Sequence, residues 1–274
     1  MRGIVIAAGL GVRMSDMTDD RPKCLLPVAG RTLLDFTIDR MHDAGCEEIV
    51  VVAGYKAEMI DRPGIIKVLN QDYENNSILH SLMYAADYLE GPVIATYSDI
   101  YVEPEIYRQL MATQGDIIIA VDRDWEFTYR GRDDNPISAG ELVLFSEDGS
   151  VIDIGRDIDP MATPDLDAGE FTGLWRMTTR GTEQFREAFE GVDHRLARDA
   201  PFQRSKEWCL AYISDLLLEL LQQGGEITGS LFSRGWIEID TRQDYERLIH
   251  DAANHHLWSL CRSNKDDRSG GAED

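Results

Sequence analysis

The chain has 274 residues, 43% of them hydrophobic, and a formal net charge of −23. This length suits one sizeable α/β domain with an elaboration. The acidic balance argues against nucleic acid or an anionic membrane as partner. The longest apolar runs are strand-sized, such as 117–121, so no membrane span is expected. The start shows no signal-peptide pattern. Cys24, Cys46, Cys209 and Cys261 are scattered. They read as reduced thiols of a cytoplasmic protein rather than a disulfide frame or a zinc site. Arg outnumbers Lys 22 to 5, which fits either a salt-rich habitat or GC-rich codons.

Apolar and amphipathic segments alternate along the chain. Strands are predicted at 3–7, 48–52, 66–69, 92–97 and 116–121. Thr32 is placed to cap a helix reaching about Ala44, with Leu34, Ile38 and Met41 on one face. A second helix starts at Ser77 or Ile78 and runs to about Leu89. Such alternation implies a doubly wound, mostly parallel sheet with its ligand at the carboxyl ends of the strands.

Residues 122–170 break the rhythm. They are rich in Asp, Arg and Gly, with alternating pieces at 140–145 and 151–154. They read as a small antiparallel insert. A strand at 171–177 returns to the sheet. Helices are expected at 179–189 and 206–223, the latter ended by Gly224-Gly225. A short strand at 236–240 precedes a last helix, 241–253, capped by Thr241. The whole reads as one domain, 1–262, with a disordered polar tail at 263–274.

The first strand opens into Ala7-Ala8-Gly9-Leu10-Gly11-Val12-Arg13-Met14. Small residues there let backbone N–H groups approach a phosphate chain. Arg13 offers a planar fork, and Lys23, ten residues on, a mobile point charge. Two cations flanking a glycine loop suggest a triphosphate held while one phosphorus is attacked. A dinucleotide loop would place a third glycine where Met14 stands, and a Walker loop would need Gly-Lys-Ser/Thr. Ser15–Asp20 reads as a polar, acidic loop.

The opening motif with Pro22-Lys23-Cys24-Leu25 resembles the nucleotidyltransferases that make nucleotide-diphospho sugars and alcohols. Asn70, Tyr73, Asn76-Ser77, His80-Ser81-Leu82 and Tyr97-Ser98-Asp99-Ile100 resemble the branch of choline-phosphate and phosphonate cytidylyltransferases. Glu170-Phe171, Gly173-Leu174 and Trp236-Ile237-Glu238-Ile239-Asp240 are similar to that branch too. The resemblance spans about 1–252. It implies a Rossmann-like nucleotidyltransferase fold. It also implies Mg²⁺-dependent transfer of a nucleoside monophosphate, CMP from CTP, to a small phosphonate or phospho-alcohol. Two alternatives stay open: a sugar-1-phosphate acceptor, and a sensor that binds nucleotide without turnover.

Catalytic candidates are Arg13, Lys23 and Asp99. Mg²⁺ takes hard oxygen ligands and is bound through one or two carboxylates plus phosphates. Asp99 follows an apolar strand, and Glu238 and Asp240 lie two apart, on one face of a strand. The metal candidates are Asp99, Glu238 and Asp240: the resemblance makes Asp99 and Asp240 ligands of the catalytic metal and matches Glu238 to an acidic position of the branch. Asp153, Asp157 and Asp159 read as solvated. Nucleotide contacts are expected from Ala7, Ala8, Gly9, Gly11, Arg13, Lys23, Gly54, Asn76, Ser77 and Ser81. Plain helix capping is the rival role for the last three.

Two acceptor sites are open. Trp125, Tyr129, Trp175 and Trp236, with Glu170, could cage an ammonium group. Arg123, Arg130, Arg132 and Arg156 could instead hold an anion. Arg132 is also counted among the acceptor contacts. An ionised phosphate monoester needs no protein base, and the chain shows no Ser/His/Asp or Cys/His constellation. His80 is the one histidine singled out near the site. The expected partners are a nucleoside triphosphate and the acceptor, and a homo-oligomer is left open.

Overall fold

The computed structural model describes residues 1–253. The tail expected at 263–274 and the domain end at 262 lie outside them.

β1 (Arg2–Ala7) leads through a 3-10 segment, Val12–Thr18, to a ribbon of β2 (Pro27–Val28) and β3 (Arg31–Thr32). Then come α1 (Leu33–Asp43), β4 (Glu48–Ala53), β5 (Ile65–Leu69) and α2 (Ile78–Met83). β6 (Val93–Tyr97), β7 (Ile100–Val102), α3 (Pro104–Ala112) and β8 (Ile117–Asp122) follow. The insert supplies α4 (Trp125–Thr128), β9 (Leu142–Phe145) and β10 (Val151–Gly155). The chain continues with β11 (Asp167–Met177), α5 (Thr179–Arg195), α6 (Ile213–Gln222), β12 (Thr228–Phe232), β13 (Trp236–Glu238) and α7 (Arg242–Ala253).

The large sheet runs β10-β9-β11-β6-β1-β4-β5, and β8 joins β11 to β12. β5, β4, β1 and β6 are parallel, as are β8 and β12, while β11 runs against its neighbours. The fold is the expected mostly parallel α/β sheet. The insert is not a separate layer: β9 pairs with the first half of β11, so its hairpin extends the same sheet.

Helices cover both faces, which is why the central strands are apolar throughout. Alternation along β1 sends Ile4 and Ile6 to one core and Val5 and Ala7 to the other. The first core includes Leu79, Phe185, Trp208 and Leu216, and the second Leu34, Met41, Ile106 and Leu110. A third cluster of Met14, Leu26, Leu33 and Leu248 lies under α7.

Several boundaries follow from caps. Thr32 N donates to Asp35 (2.8 Å) and Asp35 N to Thr32 Oγ1 (3.2 Å), a capping box that starts α1. Thr241 and Asp244 make the same reciprocal pair before α7. α6 begins at Ile213, seven residues later than expected from the sequence, because Tyr212 N donates to Asp215 (2.8 Å) and the preceding turn is 3-10. α5 runs six residues beyond the expected end, since Val192 continues its buried stripe. α2 is shorter than expected, ending at Met83 before a 3-10 turn at 86–88.

β11 bends at Gly173, whose φ is +76°. A Cβ there would sit 2.3 Å from the Tyr97 ring. The bend brings Phe171 and Glu170 to the mouth of the sheet. Gly173→Ala is expected to cost about 1–3 kcal/mol, from left-handed backbone strain and overpacking. Chemical denaturation of the purified variant measures it; an unchanged midpoint would show that Tyr97 yields freely.

Candidate active site

A cleft of about 280 Å³ opens at the carboxyl ends of β1 and β6, lined by Gly9, Gly11, Arg13, Lys23, Asp99 and Asp240 among others. Its floor is an ion network. Lys23 Nζ lies 2.8 Å from Asp99 Oδ2 and 2.8 Å from Asp240 Oδ1. Arg13 Nη2 approaches Asp240 Oδ2 at 3.0 Å, and Asn135 Nδ2 donates to the same oxygen at 3.3 Å.

Local structure sets each member. Gly11 adopts φ +65° and starts the 3-10 segment that carries Arg13. The expected acidic loop is therefore an ordered turn, pinned by the fully buried Met14. Pro22 starts the 3-10 turn that bears Lys23, and Cys24 and Leu25 are buried beside it. Asp99 sits between β6 and β7. β7 pairs antiparallel with β13, Glu238 opposite Ile100, and Ile239 N donates to Asp99 O (2.9 Å). That pairing brings Asp240 to Asp99 across 141 positions of sequence. Asp244 then fixes the Asp240 backbone, accepting from its N–H at 3.2 Å.

Burial opposes the Lys23 charge, yet Asp99 and Asp240 outweigh it and raise its pKa. Burial likewise opposes the Asp240 charge, but Lys23 and Arg13 hold that carboxyl below its usual range. Glu238 moves the other way. Desolvation, then Asp240, Asp99 and Glu170, push it well up. Among the described residues no group of three or more His, Cys, Asp and Glu side chains has the arrangement of a metal centre. Lys23, rather than a third carboxylate, stands between Asp99 and Asp240. Glu238 lines the cleft beside them and lies 3.8 Å from Arg132.

The nucleotide-site candidates divide. Ala7, Gly9, Gly11, Arg13 and Lys23 line the cleft. Ala8 is buried, and its carbonyl accepts from Tyr55 N at 3.1 Å. Gly54 packs so closely that a Cβ would lie 2.6 Å from Ala8 O. Asn76 and Ser81 bind Asn70, which donates to both at 2.9 Å. Ser77 precedes α2, with its N–H on Cys209 O. These three hold the wall together, and Ile78 is the α2 residue that reaches the cleft. His80 stacks edge-on against Trp208 and Phe189, its pKa lowered by burial, and shapes the packing of α2.

The aromatic cage is not assembled. Trp175 is fully buried, packed against Tyr97 and Phe171. Trp125 packs in a satellite cluster with Tyr129 and Leu142. Of the four aromatics Trp236 alone is on the cleft wall, and its Nε1 donates to Asp122 (2.9 Å). Tyr129 donates to Glu170 Oε1 at 2.5 Å. Arg132 is locked on Asp244 at 2.7 Å. Glu170 does face the cleft.

Sequence reasoning passed over Glu141, Thr172 and Tyr212, which also line it, and read Tyr97 only as part of the Tyr97-Ser98-Asp99-Ile100 motif. Glu141 is held by Ser214 (2.5 Å) and Tyr97 (3.3 Å). Its only signal was a carboxylate opening an otherwise apolar strand.

Residues 3–205 match the model of the MobA-like NTP transferase domain. The chain belongs to this family. It is accordingly a nucleotidyltransferase, with Arg13, Lys23 and Asp99 inside the matched region. It is 24% identical over 260 residues to the CTP:phosphoglutamine cytidylyltransferase of Campylobacter jejuni, covering 91% of this chain and 99% of that one. The CMP-5'-(3-aminopropyl)phosphonate synthase of Streptomyces rubellomurinus is 28% identical over 79% of this chain and 36% of its own length. The solved CTP:phosphocholine cytidylyltransferase of Streptococcus pneumoniae superposes with a TM-score of 0.68, at 19% identity over 91% of this chain and 97% of that one. The inositol-1-phosphate CTP transferase of T. maritima gives 0.70, at 18% identity over 96% and 98%. These structural likenesses bear on the fold. No helix among the described residues is long and apolar enough to cross a membrane.

Glu170 is the buried acid whose titration the fold alters most legibly. Desolvation raises its pKa from 4.5 to about 8. The fold thus favours its protonated form. That contribution is complete below about 4.5 and is lost as pH rises through 8. Stability should fall across this window with a slope on the order of 1 kcal/mol per pH unit from this group. Glu170→Gln should flatten the slope. Parallel denaturation curves for the two proteins at pH 5 and 8 would contradict it.

Proposed function

We propose that the enzyme transfers CMP from CTP to a small phosphonate or phosphate monoester, releasing pyrophosphate. The observation that carries the reaction is the Lys23 ammonium between Asp99 and Asp240, beside the glycine loop and Arg13. The nucleotide and acceptor class draw support from the relatives. Those whose names specify a nucleotide and a phosphorylated amine or alcohol are cytidylyltransferases.

Backbone N–H groups of the loop at Gly9–Arg13 receive the triphosphate. Arg13 grips its oxygens. Lys23 neutralises charge that grows on the phosphoryl oxygens, in a preorganised site that costs no reorganisation. An acceptor oxygen, already ionised near pH 7, gives its electron pair to the α-phosphorus. The bond from that phosphorus to the bridging β-oxygen breaks, and its pair leaves with pyrophosphate. No protein base takes a proton.

Asp99 and Asp240 also suit Mg²⁺, which needs one or two carboxylates and takes its remaining ligands from phosphates and water. When bound, Mg²⁺ would supply Lewis-acid neutralisation of the phosphates. Lys23 already holds these two carboxylates oriented toward a common cation.

Pyrophosphate release from four nucleotides, against phosphonates, phospho-alcohols and sugar 1-phosphates, tests the reading. CTP with a small phosphonate or phospho-alcohol should give the highest kcat/KM. A higher value for glucose 1-phosphate would overturn the acceptor class. A higher value for another nucleotide would overturn CTP. Lys23→Ala should lower kcat by roughly a hundredfold or more, as for other preorganised charge contacts. Asp240→Asn should raise the Mg²⁺ concentration needed for half-maximal turnover; an unchanged Mg²⁺ titration would remove Asp240 from the metal site.

A further inference from the structure

The cleft wall contains a cation with no carboxylate partner among the described residues. Arg156, just after β10, lines the cleft. Its guanidinium stacks on the Tyr212 ring, 4.0 Å from the centroid. Its Nε is buried without a hydrogen-bond partner. Glu141 and Glu238 act on it through space, but among the described residues no carboxylate lies within 4 Å of it. The other insert arginines are committed elsewhere. Arg132 is paired with Asp244, and Arg123 with Asp167. Arg130 lies over the Phe127 ring, on a separate surface hollow.

A second unfilled group faces the same cleft. Glu170 is 3% exposed, and its Oε2 has no hydrogen-bond partner among the described residues. Tyr129 occupies only Oε1. An unsatisfied buried polar atom costs free energy unless a ligand satisfies it. The wall therefore awaits an anion at Arg156 and a hydrogen-bonding group at Glu170 Oε2. Of the four aromatics expected to cage a quaternary ammonium, Trp125, Tyr129 and Trp175 do not line this cleft.

We infer that the acceptor carries a carboxylate in addition to its reacting phosphate or phosphonate, and that Arg156, flattened on Tyr212, binds that carboxylate. This rests on the nucleotidyl transfer proposed above and narrows its acceptor. A planar guanidinium pairs with a carboxylate through two parallel hydrogen bonds, and a stacked ring holds the fork flat. The transfer itself is unchanged. The phosphate oxygen attacks the α-phosphorus and pyrophosphate departs, while the carboxylate serves as a handle.

Matched acceptors isolate the handle. O-phosphoserine differs from phosphoethanolamine by one carboxylate, and 2-amino-3-phosphonopropionate differs from 2-aminoethylphosphonate in the same way. With CTP and Mg²⁺, the wild-type enzyme should favour the carboxylate-bearing member of a pair by about tenfold or more in kcat/KM, the scale of a charge-assisted hydrogen bond. Arg156→Gln should collapse that ratio through the acceptor KM, with the KM for CTP unmoved. Arg156→Lys should restore part of it, since the charge returns without the fork. Equal wild-type efficiencies, or a preference for the carboxylate-free member, would overturn the inference. So would an Arg156→Gln loss equal for both members, which would place Arg156 on the reacting phosphate. The wild-type comparison decides even if the variant fails to fold. Absence of pyrophosphate from every acceptor tried would instead count against the transfer reaction itself.

Discussion

The Lys23 ammonium between Asp99 and Asp240 is the contact around which the site is organised. Its three members come from a turn after β1, the end of β6 and the segment after β13. Each is largely removed from water, so each charge is tolerable only while the others are present. The arrangement ties the amino-terminal loop to the carboxy-terminal helix. α7 contributes as well, because Asp244 caps it and at the same time fixes Asp240 and Arg132.

This network places positive charge in the cleft of a protein whose net charge is −23. The overall field repels nucleotide, but at short range the local charges dominate. Arg13 is half exposed at the mouth, and Lys23 is nearly enclosed at the floor. The carboxylates that surround them are neutralised in different ways. Asp99 and Asp240 are paired with Lys23. Glu170 and Glu238 are pushed toward the neutral form by burial and by neighbouring acids. The cleft is thus less negative than its residue list suggests.

The cleft wall that bears Glu141 and Glu170 follows a different logic. It is made by a hairpin that prolongs the main sheet and by the start of α6, with Gly173 turning β11 so that both meet. Gly140 serves the same junction, since a Cβ there would lie 2.9 Å from Glu170 Oε1. Small residues here let carboxylates and aromatic rings approach one another, and the resulting wall is polar.

Much of this was legible in the sequence. Apolar runs of strand length, the Gly9-Leu10-Gly11 turn and the Thr32 cap are local signals, and they specified the parallel sheet, the glycine turn that lines the cleft and α1. Arg13, Lys23, Asp99 and Asp240 were legible because each lies in a distinctive local pattern. Which aromatics line the cleft was not. Trp125, Trp175 and Trp236 look alike in sequence, but strand alternation and the bend at Gly173 bury Trp175, the β9 edge takes Trp125, and the β7–β13 pairing turns Trp236 to the cleft. The same holds for the insert arginines. Composition supplied four candidates, and only packing decided that Arg123 and Arg132 find carboxylates, that Arg130 lies away from the cleft, and that Arg156 lines it with no carboxylate partner among the described residues. Periodicity and turn chemistry act over a few residues and are written in the chain. Which charges meet depends on contacts between segments far apart in the chain, 76 residues for Lys23 and Asp99 and 217 for Lys23 and Asp240, and those exist only once the sheet has closed.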